Sequence, residues 1–176
     1  MSKALLIIDV QNDFVTGSLG SEYARDVVVP NILNLIKEFD RRDRFATLDT
    51  HFDKTYPETQ EGKKLPIKHC IEDTKGHKIA KELNRYILND SNHRIEKYTF
   101  GAPQMVLYNV FYEQYEEIHI CGLVTDICVV SNALILKSLY PNSRIVVHES
   151  CCGGTSKEAH DAAITVMKSC QIDIEE

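Results

Sequence analysis

ALLIID, residues 4–9, is a short, continuous apolar run closed by an acid. A run of this kind suits a strand buried on both faces, as found inside parallel sheets. Downstream, Asp26–Phe39 carries Val28, Ile32, Leu35, Ile36 and Phe39 at helical spacing, and Phe45–Asp49 reads as a second strand. A polar, turn-rich stretch from His51 to Gly76 follows, and His77–Leu88 returns to a helical pattern. The remaining predicted elements are a strand at Arg94–Tyr98, a helix at Gln104–Tyr112, a strand at Ile118–Leu123, a helix at Asp126–Leu139, a strand at Ser143–Glu149 and a helix at Ser156–Ser169. Strands alternating with helices predict an α/β fold: three layers, with a doubly wound, mostly parallel sheet covered by helices on both faces. No internal repeat interrupts the pattern, and a single domain over residues 1–176 is expected.

The charge balance narrows the partners. A net charge of −6, with no basic block, argues against a nucleic-acid partner, because phosphate binding needs a basic face. Asp9 interrupts the N-terminal apolar stretch too early for a signal peptide. No segment approaches the ~20 apolar residues of a membrane helix, so a cytoplasmic protein without a membrane partner is expected. Six cysteines (Cys70, Cys121, Cys128, Cys151, Cys152 and Cys170) then read as free thiols, mostly buried, with one reactive.

Open parallel sheets bind ligands at the carboxyl ends of their strands. Asp9, Asp49, Lys97 and the segment after Gly122 all fall at such ends, so four chemically capable groups should converge on one edge. An acid ending a buried apolar strand is costly unless paired or functional. Gln11, Asn12, Asp13 and Phe14 follow Asp9 and give the strand end a polar cluster with one aromatic, as expected of a small-molecule pocket. In CGLVTDICVV, Gly122 allows a tight turn, Thr125 and Asp126 are helix N-cap candidates, and Cys128 falls in the first turn, where the dipole would favour a thiolate. A lysine such as Lys97 beside a carboxylate and a thiol would favour both ionised forms. Asp49 and His51 are separated by one residue at a strand end, and His69 closes the irregular stretch. Together they offer a facial set of O and N donors for a divalent metal: Zn²⁺, with Fe²⁺ or Mn²⁺ as alternatives. Glu58 and Glu61 are the two candidates for a further ligand. His77, His93, His119, His148 and His160 show no partner pattern and read as structural.

LLIIDVQNDF, the DTH ending a later strand, the EK of RIEKYTF and GLVTDICV together resemble the isochorismatase-like cysteine hydrolases, in order and over nearly the whole chain. HCIEDTKG further resembles a nicotinamidase segment, with Asp73 where glycine is usual. There is no tryptophan, and no second histidine between DTH and HC. The resemblance implies a catalytic triad of Asp9, Lys97 and Cys128, and metal ligands at Asp49, His51 and His69. It also implies an oxyanion hole from the backbone N–H groups of Val124 and Cys128, with a cis Leu123–Val124 peptide, and packing of Phe14 on the substrate ring. The implied reaction is hydrolysis of a small-molecule amide, nicotinamide first, through a thioester and in a homo-oligomer. Another small amide, ureido or carbamoyl substrate, or a non-catalytic member of the fold, is the alternative.

Overall fold

In the computed structural model, residues 2–111 and 115–176 are described. Six strands, β1 (Lys3–Ile8), β2 (Arg44–Asp49), β3 (Arg94–Lys97), β4 (Glu117–Leu123), β5 (Arg144–Gly153) and β6 (Asp173–Glu175), form one sheet in the order β3-β2-β1-β4-β5-β6. Every pairing is parallel. The apolar run of β1 is central, paired with β2 on one side and β4 on the other, and Ala4 through Ile8 are at most 2% exposed. The ALLII run is thus apolar throughout because both of its faces are covered.

Seven α-helices accompany the sheet among the described residues: α1 (Asn12–Val15), α2 (Val29–Leu35), α3 (Gln60–Lys64), α4 (Lys81–Asn84), α5 (Gln104–Phe111), α6 (Val130–Leu139) and α7 (Lys157–Ser169). The expected helix over 26–39 is present as a π turn (Ala24–Val28), α2 and a 3-10 turn (Ile36–Glu38) in succession. It buries Val28, Ile32, Leu35, Ile36 and Phe39, the residues whose spacing predicted it. Ser156 caps α7, its hydroxyl accepting from the Ala159 N–H at 3.1 Å.

Several boundaries differ from the sequence reading. The helix expected over His77–Leu88 shrinks to the single turn α4, because Ile79 and Ala80 are tied by backbone pairing to Gln11 and Val10. The irregular stretch contains a 3-10 turn (Tyr56–Glu58) and α3. β5 runs four residues beyond Glu149, and β6 was not predicted. The last residue expected of α5, Tyr112, lies outside the described residues. No helix among the described residues is long and apolar enough to cross a membrane.

Candidate active site

The four strand ends do meet. Asp9 follows β1, Asp49 and Lys97 end β2 and β3, and Leu123 ends β4. Lys97 is fully buried, with Nζ 2.7 Å from Asp9 Oδ2, 3.0 Å from Asp49 Oδ1 and 3.5 Å from Cys128 Sγ. Asp9 is also fully buried and stands in the left-handed region at φ 49°. A non-glycine residue holds such a conformation where its surroundings fix it. Thr47 does so here: its hydroxyl accepts the Asp9 N–H at 3.1 Å and donates to Asp9 Oδ1 at 2.6 Å. With Oδ1 taken, Oδ2 has no hydrogen-bond donor in bonding geometry and faces Lys97 as an ion pair. That leaves Oδ2 with its lone pairs free of any hydrogen-bond donor.

Gly122 is the close-approach point of the sheet. Its φ is 127°, and a Cβ there would stand 2.2 Å from the Ile8 carbonyl oxygen. It lies within β4 rather than in the turn after it, and its bare backbone brings β4 against β1 just before Asp9. The Leu123–Val124 peptide is cis. A π turn, Thr125–Val129, then carries Cys128 and leads into α6.

The capping expectation fails. Val124 occupies the cap position, while the Asp126 carboxylate accepts the Thr155 N–H and hydroxyl, and Thr125 Oγ1 lies 2.8 Å from His160 Nδ1. The helix start is instead fixed by Asn132, which donates to the Cys128 and Phe100 carbonyls and accepts the Ala102 N–H. It thus ties the turn that carries Cys128 to the loop that follows Lys97.

Electrostatics corrects a second expectation. Burial pushes the Cys128 thiol well above its ordinary value; the Asp9 charge adds to the rise and Lys97 opposes it. Burial likewise raises Asp9, with Lys97 opposing and Asp49 adding. Lys97 is held raised despite burial by the charges of Asp9, Cys128 and Asp49. Burial and the Asp9 charge thus favour the protonated thiol over a preformed thiolate, against the pull of Lys97. A thiol, a carboxylate and an ammonium carry one negative and one positive charge; ionising the sulfur would add a second negative charge in low dielectric.

On the other side of Asp49 lies a second cluster. His51 Nε2 is 2.9 Å from Asp49 Oδ2, and His69 Nε2 is 3.5 Å from the same oxygen. Glu61 Oε1 is 3.6 Å from His51 Nε2 and 3.5 Å from His69 Nε2. The structure selects Glu61 and leaves out Glu58, which is exposed on its 3-10 turn. Thr59 caps α3 by accepting the Gly62 N–H at 2.9 Å, so the first turn brings Glu61 to the histidines.

Four such donors fit a divalent cation. Tetrahedral ligands at ~2.1 Å from an ion stand about 3.4 Å apart, close to most of these separations. His69 Nδ1 donates to the Ile67 carbonyl at 2.8 Å, which leaves Nε2 for an ion. Burial opposes protonation of His69, yet Asp49 and Glu61 push its pKa up to about 10. Burial also works against an ionised Asp49, but His51, His69 and Lys97 hold it far below the usual carboxylate range. The pocket is built to hold positive charge.

Gln11, Asn12 and Asp13 do not line an open pocket. The buried Gln11 amide donates to the Asp49 and His77 carbonyls and accepts the Asp49 N–H, at 2.9, 2.7 and 2.8 Å. Asn12 donates to the Lys75 carbonyl, and Asp13 accepts the Cys70 N–H at 2.8 Å. Gly76 packs so closely that a Cβ would stand 2.0 Å from Asp13 Oδ2. The segment is a clamp on the loop that delivers His69. Phe14, half-buried, packs on the His69 ring with centroids 5.5 Å apart. Phe52 and Tyr98, each one residue past a site residue, stack 5.8 Å apart and are about half exposed. Thr47 and Asn132 were not singled out as site-building residues by the sequence, where only their positions near motif residues could have drawn notice.

All six cysteines are free, five buried and Cys170 exposed.

The isochorismatase domain family model matches residues 3–175. An isochorismatase family protein of Bacillus subtilis, PncA, is 30% identical over 177 residues, covering 94% of this chain and 93% of the relative. The crystal structure of nicotinamidase PncA from Bacillus subtilis superposes with a TM-score of 0.80 at 26% identity, covering all of both chains. That of a Pyrococcus horikoshii pyrazinamidase in complex with zinc gives 0.77 at 21% identity, covering 100% of this chain and 99% of the other. The chain belongs to the isochorismatase family, in its nicotinamidase-like branch of amide-hydrolysing enzymes.

Proposed function

We propose that this protein is a nicotinamidase, hydrolysing nicotinamide to nicotinate and ammonia, with Asp9, Lys97 and Cys128 as catalytic residues. The observation that carries the reading is the buried contact set of Lys97, which holds a carboxylate and a thiol within 3.5 Å of one ammonium. The activity named for the Bacillus subtilis structural neighbour supports the choice of amide.

Asp9 Oδ2 takes the Cys128 proton as sulfur attacks the amide carbonyl carbon. Lys97 lowers the cost of the charge that develops. Negative charge passes to the carbonyl oxygen, which the backbone N–H groups of Val124 and Cys128 receive as an oxyanion hole. Asp9 returns the proton to the nitrogen, the C–N bond breaks, and ammonia leaves a thioester on Cys128. Water then attacks the thioester, giving a proton to Asp9; the C–S bond breaks, Asp9 passes that proton to the departing sulfur, and the nicotinic acid formed ionises to nicotinate.

Asp49, His51, His69 and Glu61 would hold the divalent metal, Zn²⁺ by preference for this mixed imidazole–carboxylate set. When bound, it supplies a Lewis-acidic point for orienting the substrate ring. Phe14 would pack on that ring from its place against His69. The reading covers one domain over residues 1–176, working in the cytoplasm, where free thiols persist. Ammonia release from nicotinamide by the purified protein tests it. Turnover should vanish in Cys128→Ala; release at the wild-type rate by that variant would remove the nucleophile.

A further inference from the structure

Two histidines that read as structural in the sequence lie against each other. His119 Nδ1 is 2.9 Å from His148 Nε2, His119 Nε2 is 3.0 Å from Glu117 Oε2, and His148 Nδ1 is 4.0 Å from Glu175 Oε2. The groups come from β4, β5 and β6, so one chain of contacts crosses three adjacent strands. We propose that His119, His148 and Glu175 form a second divalent-cation site, selective for Zn²⁺ or a similar borderline metal, separate from the cluster around Asp49.

Proton counting is the first argument. In the series carboxylate–imidazole–imidazole–carboxylate, two contacts are of hydrogen-bond length and the third, His148 to Glu175, is a looser 4.0 Å approach. Two neutral imidazoles carry only two N–H protons. If His119 donates to Glu117 and His148 donates to His119, then the bare His148 Nδ1 faces the Glu175 carboxylate. Running the protons the other way leaves His119 Nε2 bare against Glu117. Either arrangement leaves one ring nitrogen unprotonated beside a carboxylate, a place that a cation would fill. Burial and the neighbouring His119 lower His148, which favours its neutral ring. A neutral imidazole is also the form that binds a metal.

Geometry is the second argument. One donor atom from each of His119, His148 and Glu175 lies within 4.8 Å of the others, and two imidazoles with one carboxylate leave a coordination position for water. The surrounding groups orient these donors as outer-shell partners do. Glu117 fixes His119 by its Nε2–H, leaving Nδ1 as the lone pair. Arg144 bonds Glu175 Oε1 at 2.8 Å, which leaves Oε2 toward His148. Phe39 packs edge-on against the His119 ring, with centroids 5.0 Å apart. The charges nearby are mixed: Lys3 and Arg144 are positive, while Glu38, Glu117 and Asp173 are negative. Both histidines are nearly buried, but the Glu175 side chain is 41% exposed and gives an ion its route in. His119 lies four residues before Leu123 on β4, roughly 13 Å along the strand from the catalytic edge.

The test is metal stoichiometry on the whole chain, stripped of metal and dialysed against Zn²⁺, with zinc counted by elemental analysis. Wild type should bind two equivalents. His148→Gln and Glu175→Gln should each bind one, with ammonia release from nicotinamide unchanged. His51→Ala should also bind one, retaining the second site. Glu175→Gln alters an edge residue and keeps the test valid if the buried His148 substitution fails to fold. One equivalent in wild type, or two in Glu175→Gln, would overturn the proposal and leave the contact to a shared proton.

Discussion

Asp49 and Lys97 meet at 3.0 Å, and the other oxygen of the same carboxylate lies 2.9 Å from His51. One residue therefore belongs to both clusters, with its two oxygens facing Lys97 and the proposed metal-ligand set respectively. Disturbing either cluster should be felt in the other.

Asp9 and Lys97 should behave as one unit. Asp9→Asn removes the base, and Lys97→Met removes the charge that keeps both anionic forms accessible, so each disables attack by Cys128. Each should lower kcat/KM by roughly three orders of magnitude or more, and the double variant should be little worse than the poorer single. Breaking a buried pair on one side should also cost about 3–5 kcal/mol of stability, readable in urea. Losses that add fully would mean two independent contributors.

The pH dependence of Cys128 alkylation follows from its raised pKa. A folded-state pKa above the ordinary value means that the protonated form persists to higher pH. Iodoacetamide labelling of the free enzyme should keep rising above the ordinary thiol range of about 8.5 instead of levelling near neutrality. Lys97→Met should move the rise higher still, because Lys97 opposes the upward shift. A plateau beginning below neutral pH would reveal a resting thiolate.

For the metal cluster, Glu61→Gln should weaken binding of the ion at Asp49, His51 and His69 by about 10-fold or more, and Glu58→Gln should leave it unchanged. Competition with a chromophoric chelator measures both. Equal effects from the two glutamates would return Glu58 to the ligand set.

Gly122→Ala should be severe for a residue that gains only a methyl. The new Cβ would meet the Ile8 carbonyl at 2.2 Å, at a φ of 127° that side chains rarely adopt. A loss of about 3 kcal/mol or more is expected in denaturant unfolding, with activity falling in parallel as Asp9 moves. A variant as stable and active as wild type would show that β1 and β4 separate freely.

The sheet's centre was legible because β1, β2 and β4 carry apolar runs, which a doubly covered strand requires. β6 was not, because Asp173–Glu175 has only Ile174 between two acids that bond Arg144. The His77–Leu88 pattern misled because part of its apolar spacing serves backbone pairing with the segment after β1. Asp9 and Lys97 were legible as charged groups at strand ends and Cys128 as a thiol in the first turn after one, and the structure brings them together around Lys97. The choice of Glu61 over Glu58 depends on where Thr59 starts a helix, and two glutamates three residues apart do not declare it. The His119–His148 contact was hidden because its partners lie 29 residues apart and meet only through the β4–β5 register.

The central claim is that Cys128 carries the acyl group. Rapid acid quenching of enzyme turning over nicotinamide, followed by intact-mass and peptide-mass spectrometry, measures this directly. The account predicts one added nicotinoyl group per chain, on the peptide containing Cys128, and none in Cys128→Ala. Steady ammonia release with no adduct at any quench time, or an adduct on Cys70 that survives Cys128→Ala, would contradict it.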